Sequence, residues 1–432
     1  MTKRQTSLSD QGKKCRICTG CGRCAGALPD IRIVTDASRP FPTSDGYKLP
    51  AGECGQGLMI AADIGTTTIA MQLRKMEDGQ VLDTFRAVNP QRKYGADVLS
   101  RIQEAEDPQG YAAREMRRMV LEILEEGIAS FRAPDREIRG MVIAANTVMI
   151  YLLMGYPASG LGRVPFTAEH LDEISTRIGG MPTVIMPGIS AFVGADILAG
   201  MFAERIGLPR GISTDDPAGT DSAKEIDLLI DLGTNGEMAL GNGEKILATA
   251  TAAGPAFEGR MGVGVWGADT VKFLETLLRQ GLMDDTGLLA DEYFEEGVPI
   301  GGITMTQEDI RSLQLAKAAI CAGVRILCRQ YGLQDMRQIR NVYLAGGFGY
   351  YLDPAAAAAI GLIPAELADK CLAVGNSALE GAFCYGRRRL SGNPQTAEDV
   401  LRQLQALKDR TEHINLAESD GFFEEYIDAM SF

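Results

Sequence analysis

The sequence predicts an α/β protein of two related lobes, and two repeated patterns carry that prediction. A strand containing an aspartate runs into a glycine turn at DIGTTT (63–68) and again at DLGTNGE (231–237). A second pair, VIAANT (142–147) and VYLAGGFG (342–349), is a buried strand that ends in small or polar residues before a helix. Because both pairs recur in the same order, we interpret the chain as an internal duplication whose lobes each begin with a glycine-turn hairpin.

Length, charge and hydropathy limit the class of protein. At 432 residues, 45% of them hydrophobic, the chain exceeds what one core usually supports. A formal net charge of −14 repels phosphate backbones and anionic membranes, so we expect no nucleic acid and no membrane partner. The longest apolar runs are interrupted before they reach membrane-spanning length and no N-terminal signal is present, which favours a cytoplasmic protein.

Changes in composition divide the chain into five predicted segments. The first is rich in turn residues and cysteine, the third consists of small polar and acidic residues that predict an exposed loop, and the last predicts a helix and tail packed on the lobes. The segments are a Cys-rich metal-cluster segment and linker (1–55), the first lobe (56–212), the loop (213–225), the second lobe (226–390) and the C-terminal helix and tail (391–432).

The first lobe is predicted to start as a three-stranded meander followed by helices. LMIAADIG, TTIAMQLRK and QVLDTFRAVN read as strands with turns at Gly65 and at EDGQ. GADVLSRIQEAE and YAAREMRRMVLEILEEGIASF place apolar residues at helical spacing. MVIAA is then a buried strand that turns at Asn146 into a helix, the kind of junction where α/β proteins place ligands.

The two glycine turns predict a phosphate-binding cleft. Glycine lets backbone N–H groups approach phosphate oxygens closely, and threonine hydroxyls add neutral donors. The strand aspartates Asp63 and Asp231 can hold magnesium through water. One such turn is weak evidence, whereas two facing turns can clamp a polyphosphate. The candidate binding residues are Gly65, Thr66, Thr67, Gly233, Thr234, Asn235 and Gly236.

Two further motifs complete the predicted cleft. Gly346 and Gly347 of LAGGFG leave room for a flat purine or ribose, with tight strand–helix packing as the alternative. Asp196 of ISAFVGAD is a candidate to orient an attacking water, with a helix-capping role as the alternative. No G-x-x-x-x-G-K-[ST] sequence occurs, and neither of the two histidines lies in a motif, so a P-loop and histidine acid–base chemistry are not expected.

These motifs resemble the duplicated, ribonuclease-H-like fold of the acetate/sugar kinase, Hsp70 and actin superfamily, a two-lobed ATPase. Residues 58 to 432 more narrowly resemble the reductive activators of corrinoid enzymes. The motifs that carry this resemblance include NPQRKYGADVLSRI, ANTVMIYLLMG, PGISAFVGADILAG, GPAFEGRMGVGV, LAGGFGYYLDPAAAAAIGLIP, GNSALEGA and the tail HINLAESDGFFEEYIDAMSF.

The resemblance implies an ATP-driven electron donor that returns the Co(II) corrinoid of a methyltransferase or corrinoid protein to Co(I). It implies ATP and Mg²⁺ as cofactors, bound by the residues named above with Asp63, Asp196 and Asp231 as catalytic groups. A corrinoid protein or corrinoid-dependent methyltransferase and a low-potential electron donor would be the partners. Glu237 and GPAFEG (254–259) could lie at the cleft floor.

The stretch KKCRICTGCGRC supplies a candidate electron carrier. It holds four of the nine cysteines, spaced C-x2-C-x2-C-x2-C. Members of the resembled family usually carry a plant-type 2Fe–2S ferredoxin domain, and this leader is too short for one. Three cysteines at this spacing instead favour a 4Fe–4S cluster. The predicted ligands are Cys15, Cys18 and Cys21 with either Cys24 or Cys54 as the fourth, and a cluster shared across a homodimer is a further arrangement.

Several alternatives stay open from the sequence. Zinc could occupy the cysteines, although structural zinc sites usually use two C-x2-C pairs separated by a longer insert. The cysteines could also be unligated, redox-labile thiols. At the level of function, the alternatives are a small-molecule kinase of the same superfamily and an ATP- and metal-binding regulatory protein without redox turnover.

Overall fold

The structure is a computed structural model that describes residues 54–131, 137–208, 224–233, 235–257, 267–300 and 303–432. These residues form two six-stranded mixed sheets with helices around and between them, and one small two-stranded sheet. Within these ranges, no helix is both long and apolar enough to cross a membrane. The predicted loop at 213–225 lies almost entirely outside the described residues.

The first sheet has the strand order β3-β2-β1-β4-β6-β5. Its central strands β1 and β4 are almost continuously buried, as expected for parallel neighbours covered on both faces, whereas the edge strand β3 is largely exposed. The six strands are β1 (Leu58–Ile64), β2 (Thr68–Lys75), β3 (Val81–Val88), β4 (Ile138–Ala145), β5 (Ile174–Ile178) and β6 (Met181–Ile185).

The second sheet has the strand order β13-β12-β7-β8-β9-β14. A separate antiparallel pair, β10 and β11, lies in the same half of the chain. The strands are β7 (Ile226–Leu232), β8 (Gly236–Gly241), β9 (Ile246–Thr251), β10 (Val298–Ile300), β11 (Ile303–Met305), β12 (Ile339–Ala345), β13 (Cys371–Gly375) and β14 (Thr411–His413).

The two large sheets share a core of five strands, which supports the duplicated α/β architecture, and they differ in the sixth strand: β5 lies beside β6 in the first sheet, whereas β14 lies beside β9 in the second. In each, an antiparallel meander (β1-β2-β3 or β7-β8-β9) is followed by a strand that pairs in parallel with the first strand of the meander, β4 with β1 and β12 with β7. A further parallel strand then joins, β6 beside β4 and β13 beside β12. The carboxyl ends of β1 and β7, where the two aspartates lie, therefore occupy equivalent places.

Twelve α-helices pack on these sheets within the described ranges. The longest begins at a capping box, in which Thr306 and Asp309 bond reciprocally. The helices are α1 (Val98–Ala105), α2 (Tyr111–Ser130), α3 (Thr147–Met154), α4 (Ala195–Ala203), α5 (Gly267–Arg279), α6 (Asp291–Phe294), α7 (Gln307–Tyr331), α8 (Gly346–Tyr351), α9 (Pro354–Ala359), α10 (Ser377–Arg389), α11 (Pro394–Asp409) and α12 (Phe422–Asp428).

Helices α4 and α10 cross each other where the two lobes meet. α10 follows β13 of the second sheet, yet it packs on β1 and β4 of the first. A Cβ atom on Gly381 of α10 would overlap the carbonyl group of Ala199 in α4. A Cβ atom on Gly200 of α4 would lie 2.7 Å from Ser377 Oγ of α10. Glycine at these positions lets the two backbones approach more closely than side chains would allow.

The C-terminal residues are built into the second lobe. β14 pairs in parallel with β9 and so extends the second sheet, a strand that the sequence prediction did not include. α12 packs on α7, and the fully buried ammonium of Lys317 in α7 donates to the carbonyl oxygens of Ala429 and Ser431. The backbone N–H of Phe432 donates to the carbonyl of Asp285 at 2.8 Å. The last residues of the chain are therefore held by specific contacts.

Candidate active site

Four carboxylates from both lobes lie close enough together to shift one another's pKa values. Asp63 lies at the carboxyl end of β1, Asp231 at the equivalent place in β7, Glu237 opposite it in β8, and Asp196 in the first turn of α4. The charge of Asp196 raises the pKa values of Asp63, Asp231 and Glu237, so the four groups form one electrostatic cluster. The structure thus brings the three predicted catalytic aspartates together.

Burial is the main reason why these carboxyl groups hold protons more tightly than usual. It raises the pKa of Asp63 to about 7, against a hydrogen bond from Asn376 that favours the ionised form. It raises the pKa of Asp231 to about 8, helped by the charges of Asp196 and Asp63. Burial also raises the pKa of Asp196, opposed mainly by the N–H of Ile197. A cation that neutralises the cluster would favour all the ionised forms.

Glu237 belongs to the same cluster. Burial and the charges of Asp196 and Asp231 raise its pKa well above the usual range, while Asn235 Nδ2 donates to its Oε1 at 3.1 Å. Among the described residues, however, no three His, Cys, Asp or Glu side chains are close enough together to hold a metal ion directly. A donor set of carboxylates fits a hydrated Mg²⁺, which usually keeps several waters and binds one or two carboxylates together with phosphate.

The first glycine turn joins β1 to β2 beside Asp63. Gly65 closes the turn by donating its N–H to the carbonyl of Thr68 at 2.9 Å. Thr66 is buried, and its Oγ1 accepts a hydrogen bond from Asn146 Nδ2 at 3.1 Å. Asn146 also caps α3 by accepting from the N–H of Met149, so the turn is tied to the strand-to-helix junction that the sequence singled out.

The second glycine turn joins β7 to β8 beside Asp231. Gly233 donates its N–H to the carbonyl of Asn235 at 3.1 Å, and among the described residues a Cβ atom there would have only that carbonyl oxygen within 4 Å, at 3.7 Å. Gly236 is different, because a Cβ atom there would lie 2.9 Å from a methyl carbon of Thr251 and 3.2 Å from a side-chain carbon of Ile320. Core packing therefore accounts for glycine at 236. Thr234 lies outside the described residues.

Gly346 and Gly347 follow β12 and begin α8, and their surroundings differ sharply. Gly346 has φ +84°, and a Cβ atom there would lie 2.6 Å from the carbonyl oxygen of Leu232 and 2.8 Å from Asp231 Oδ1. Gly347 has no atom within 4 Å of the place a Cβ would occupy. Tight packing therefore explains glycine at 346, whereas at 347 the structure leaves open space beside the cleft.

We expect this contrast to separate two substitutions. Gly346→Ala should lower the free energy of unfolding by roughly 2–4 kcal/mol, because it combines a left-handed backbone with an overlap on Asp231. Gly347→Ala should leave stability within about 1 kcal/mol of the parent and weaken ATP binding, if a purine or ribose lies against this backbone. Thermal unfolding and calorimetric titration with ATP measure both effects. Unchanged ATP affinity in Gly347→Ala would remove residue 347 from the nucleotide surface.

Two residues of the site, Asn376 and Gly194, were not predicted from the sequence. Asn376 caps α10, and its Nδ2 donates to Asp63 Oδ2 at 2.6 Å, so it links the end of β13 in the second sheet to the end of β1 in the first. Gly194, which precedes Asp196, packs so closely on the end of β4 that a Cβ atom would lie 2.5 Å from Asn146 Cα. A polar residue directly after a strand, as in GNSALEGA, was the available signal for Asn376.

The predicted metal-cluster ligands Cys15, Cys18, Cys21 and Cys24 lie outside the described residues. Cys54 is half-buried. Its neighbour Gly55 donates its N–H to the carbonyl of Arg387, so the described chain begins beside the end of α10. Burial raises the pKa values of Cys321, Cys328, Cys371 and Cys384, as expected for core thiols.

Two lobes with the same five-strand core that share a carboxylate cluster define the ASKHA class, the acetate and sugar kinase, Hsp70 and actin class of ATPases. Residues 225–268 and 261–432 match the family profile described as the C-terminal domain of RACo, the ASKHA domain. Residues 58–207 match the profile described as the RACo middle region. The chain belongs to the RACo family.

Individual relatives agree with this assignment. The corrinoid activation enzyme RamQ of Eubacterium limosum is 30% identical, over 85% of this chain and 69% of RamQ. The [Co(II) methylated amine-specific corrinoid protein] reductase of Methanosarcina barkeri is 22% identical, over 86% of this chain and 76% of the reductase. A solved structure titled reductive activator for corrinoid, iron-sulfur protein matches with a TM-score of 0.72 and 28% identity, over 89% of this chain and 67% of that one.

Proposed function

We propose that this protein is an ATP-dependent reductive activator that returns the Co(II) corrinoid of a partner protein to Co(I). The observation that carries the proposal is the convergence of Asp63, Asp196 and Asp231 from both lobes at one cleft. RamQ is named a corrinoid activation enzyme, and the Methanosarcina relative is named a reductase of a Co(II) corrinoid protein. The same family membership supports this activity over a small-molecule kinase.

In this proposal, different residues bind phosphate, bind the water shell of Mg²⁺ and orient the attacking water. The turns at Gly65–Thr67 and Gly233–Gly236 would hold phosphate through backbone N–H groups and hydroxyls. Asp63 and Asp231 would bind the water shell of Mg²⁺, which when bound neutralises phosphate charge. Asp196 would orient the attacking water. Because both lobes would supply ligands, nucleotide would favour an arrangement in which the lobes close on it, and such a difference in affinity between two arrangements is what can drive an uphill reduction.

The electron path of the proposal starts in the leader, residues 1–55. Cys15, Cys18 and Cys21, with Cys24 or Cys54, would hold a 4Fe–4S cluster, which when bound supplies one-electron transfer. A low-potential donor would give one electron to the protein, and the protein would pass that electron to Co(II) of the corrinoid partner. The cysteine spacing supports this part of the proposal.

An anaerobic assay tests the proposal. Iron-reconstituted protein, ATP, a strong reductant and a Co(II) corrinoid protein are mixed, and the absorbance of Co(I) is followed. We expect Co(I) to form only with ATP present. Cys18→Ala should abolish its formation without weakening ATP binding, whereas Cys371→Ala, which removes a half-buried thiol on β13, should behave like the parent.

The two parts of the proposal fail in different ways. If Co(I) forms equally well without ATP, the nucleotide-driven mechanism is wrong. If Cys18→Ala is as active as the parent, the leader is not the electron carrier.

A further inference from the structure

Arg101 is a fully buried cation directly behind the first glycine turn. It belongs to the motif NPQRKYGADVLSRI (89–102), whose role the proposed function leaves unexplained. Asp97 caps α1 by accepting from the N–H of Ser100, and the next residue in the helix is Arg101. The side chain is 0% exposed and is the largest of the fully buried side chains. Burial of an ionised group costs free energy unless the surrounding residues accept its hydrogen bonds.

The guanidinium group of Arg101 contacts one carbonyl of the turn, one carbonyl of its own motif and two side chains. Nη2 donates to the carbonyl oxygen of Thr66 at 2.6 Å, and Nε donates to that of Gly95 at 3.0 Å. Nη1 lies 3.4 Å from Gln91 Oε1 and 3.4 Å from Met149 Sδ. Arginine suits this role because its planar fork reaches several acceptors in fixed directions.

A second buried side chain of the same motif holds the preceding carbonyl. Asn89 is fully buried, and its Nδ2 donates to the carbonyl oxygen of Gly65 at 2.8 Å. The carbonyl of Thr67 accepts from the backbone N–H of Asn89 at 2.8 Å. Three successive carbonyls of the turn, those of Gly65, Thr66 and Thr67, are therefore bonded to this buried network.

This arrangement fixes the direction of the N–H groups. The peptide bonds that follow Gly65 and Thr66 are trans, because the only cis bond in the described chain is Val164–Pro165. In a trans peptide the C=O and N–H bonds point in opposite directions. With the two carbonyls held by Asn89 and Arg101, the N–H groups of Thr66 and Thr67 are directed away from the buried network.

We propose that Arg101 is a positioning residue for the polyphosphate of ATP. It orients the N–H donors of the first glycine turn and places a positive charge behind them without touching the ligand. The charge acts through protein rather than through water, and protein screens it less than water does. This inference rests on the proposed nucleotide function, and it names a residue that acts on the phosphates but not on the adenosine, which the sequence places at Gly347 in the other lobe.

Calorimetric titration of each variant with MgATP and with adenosine tests the inference. Arg101→Met approximately keeps the side-chain volume and removes both the positive charge and the N–H donors of the guanidinium group. We expect it to weaken MgATP binding at least about tenfold, the order of one charge-assisted hydrogen bond, and adenosine binding less than about twofold. Arg101→Lys keeps the charge and should recover part of the MgATP affinity.

The matched control is Lys317→Met, which removes another fully buried cation that donates to main-chain carbonyls, in the second lobe and at the C-terminal end of the chain. Its MgATP and adenosine affinities should stay within about twofold of the parent, whatever its thermal stability. If Arg101→Met does not fold, the test uses Arg101→Lys alone. The quantity compared is then the ratio of its MgATP affinity to its adenosine affinity, relative to the same ratio in the parent.

The outcomes are distinguishable. A selective loss of MgATP affinity supports the inference. An equal loss for MgATP and adenosine, or no loss for either, overturns the positioning role and leaves the proposed function intact. A parent protein that binds adenosine no better than background and shows no MgATP binding overturns the proposed function and this inference together.

Discussion

Asp231→Asn is expected to abolish ATP-dependent corrinoid reduction and, at the same time, to stabilise the nucleotide-free protein. The amide is close in shape to the carboxyl group but carries no negative charge to balance that of Mg²⁺. We therefore expect activity to fall by at least about 100-fold. Stability should rise because the ionised carboxylate is buried beside Asp196 and Asp63. This trade-off between activity and stability is expected of an active site whose charged groups bind a ligand but destabilise the ligand-free protein.

The pH dependence of the stability gain follows from the direction of the pKa shift. The pKa of Asp231 is raised from 3.8 to about 8, so the folded protein binds this proton more tightly than the unfolded chain does. The carboxylate therefore reduces stability increasingly as pH rises from about 4 to about 8. The amide that replaces it carries no such penalty, and the gain of the Asp231→Asn variant should be near zero at pH 4 and roughly 1–3 kcal/mol at pH 8, after allowance for solvent in the cleft.

Thermal unfolding of parent and variant across this pH range, without nucleotide, measures the effect. The exposed Asp83 on β3 supplies the control Asp83→Asn, which should change neither stability nor activity. In the parent, MgATP affinity should increase between pH 6 and 8, because Asp63 and Asp231 must lose their protons to face the cation. A variant that is less stable than the parent at pH 8 would show that Asp231 is not held in a strained, ligand-free cluster.

The sequence could predict the parts of the site that depend on local chain conformation. An aspartate near the end of a buried strand and a glycine turn after it are signals within a few residues, and the structure places Asp63 and Asp231 at equivalent strand ends. The duplication made them recognisable as a pair. The glycine-turn hairpins β1-β2 and β7-β8 were predicted in both lobes, whereas the outer strands β5, β6, β13 and β14 were not.

The parts that escaped prediction depend on partners far away in the chain. Asn376 bonds to Asp63 across 313 residues, and Arg101 bonds to the carbonyl of Thr66 across 35. From the sequence alone, a charged residue at the helical position of Arg101 would be predicted to be exposed to solvent. Gly236 illustrates the reverse case, since its place in a glycine turn suggested ligand contact, whereas its close neighbours are Thr251 and Ile320 of the core.

The second large effect is expected from Gly381→Ala at the crossing of α4 and α10. A methyl group at 381 would overlap the backbone of Ala199, and a backbone obstacle cannot rotate away as a side chain can. The helices would have to separate, which should lower the free energy of unfolding by roughly 2–4 kcal/mol. α10 packs on β1 and carries Asn376 at its start, so the separation should also draw Asn376 away from Asp63.

We therefore expect Gly381→Ala to lower the unfolding temperature by several degrees and to weaken MgATP binding together with it, although residue 381 lies in no glycine turn. Gly347→Ala is the matched control for stability alone, because it adds the same methyl group to a helical glycine with no neighbour within 4 Å. Its unfolding temperature should stay near that of the parent. If Gly381→Ala unfolds at the parent's temperature, the helices can separate without cost, and the close crossing does not hold the lobes in register.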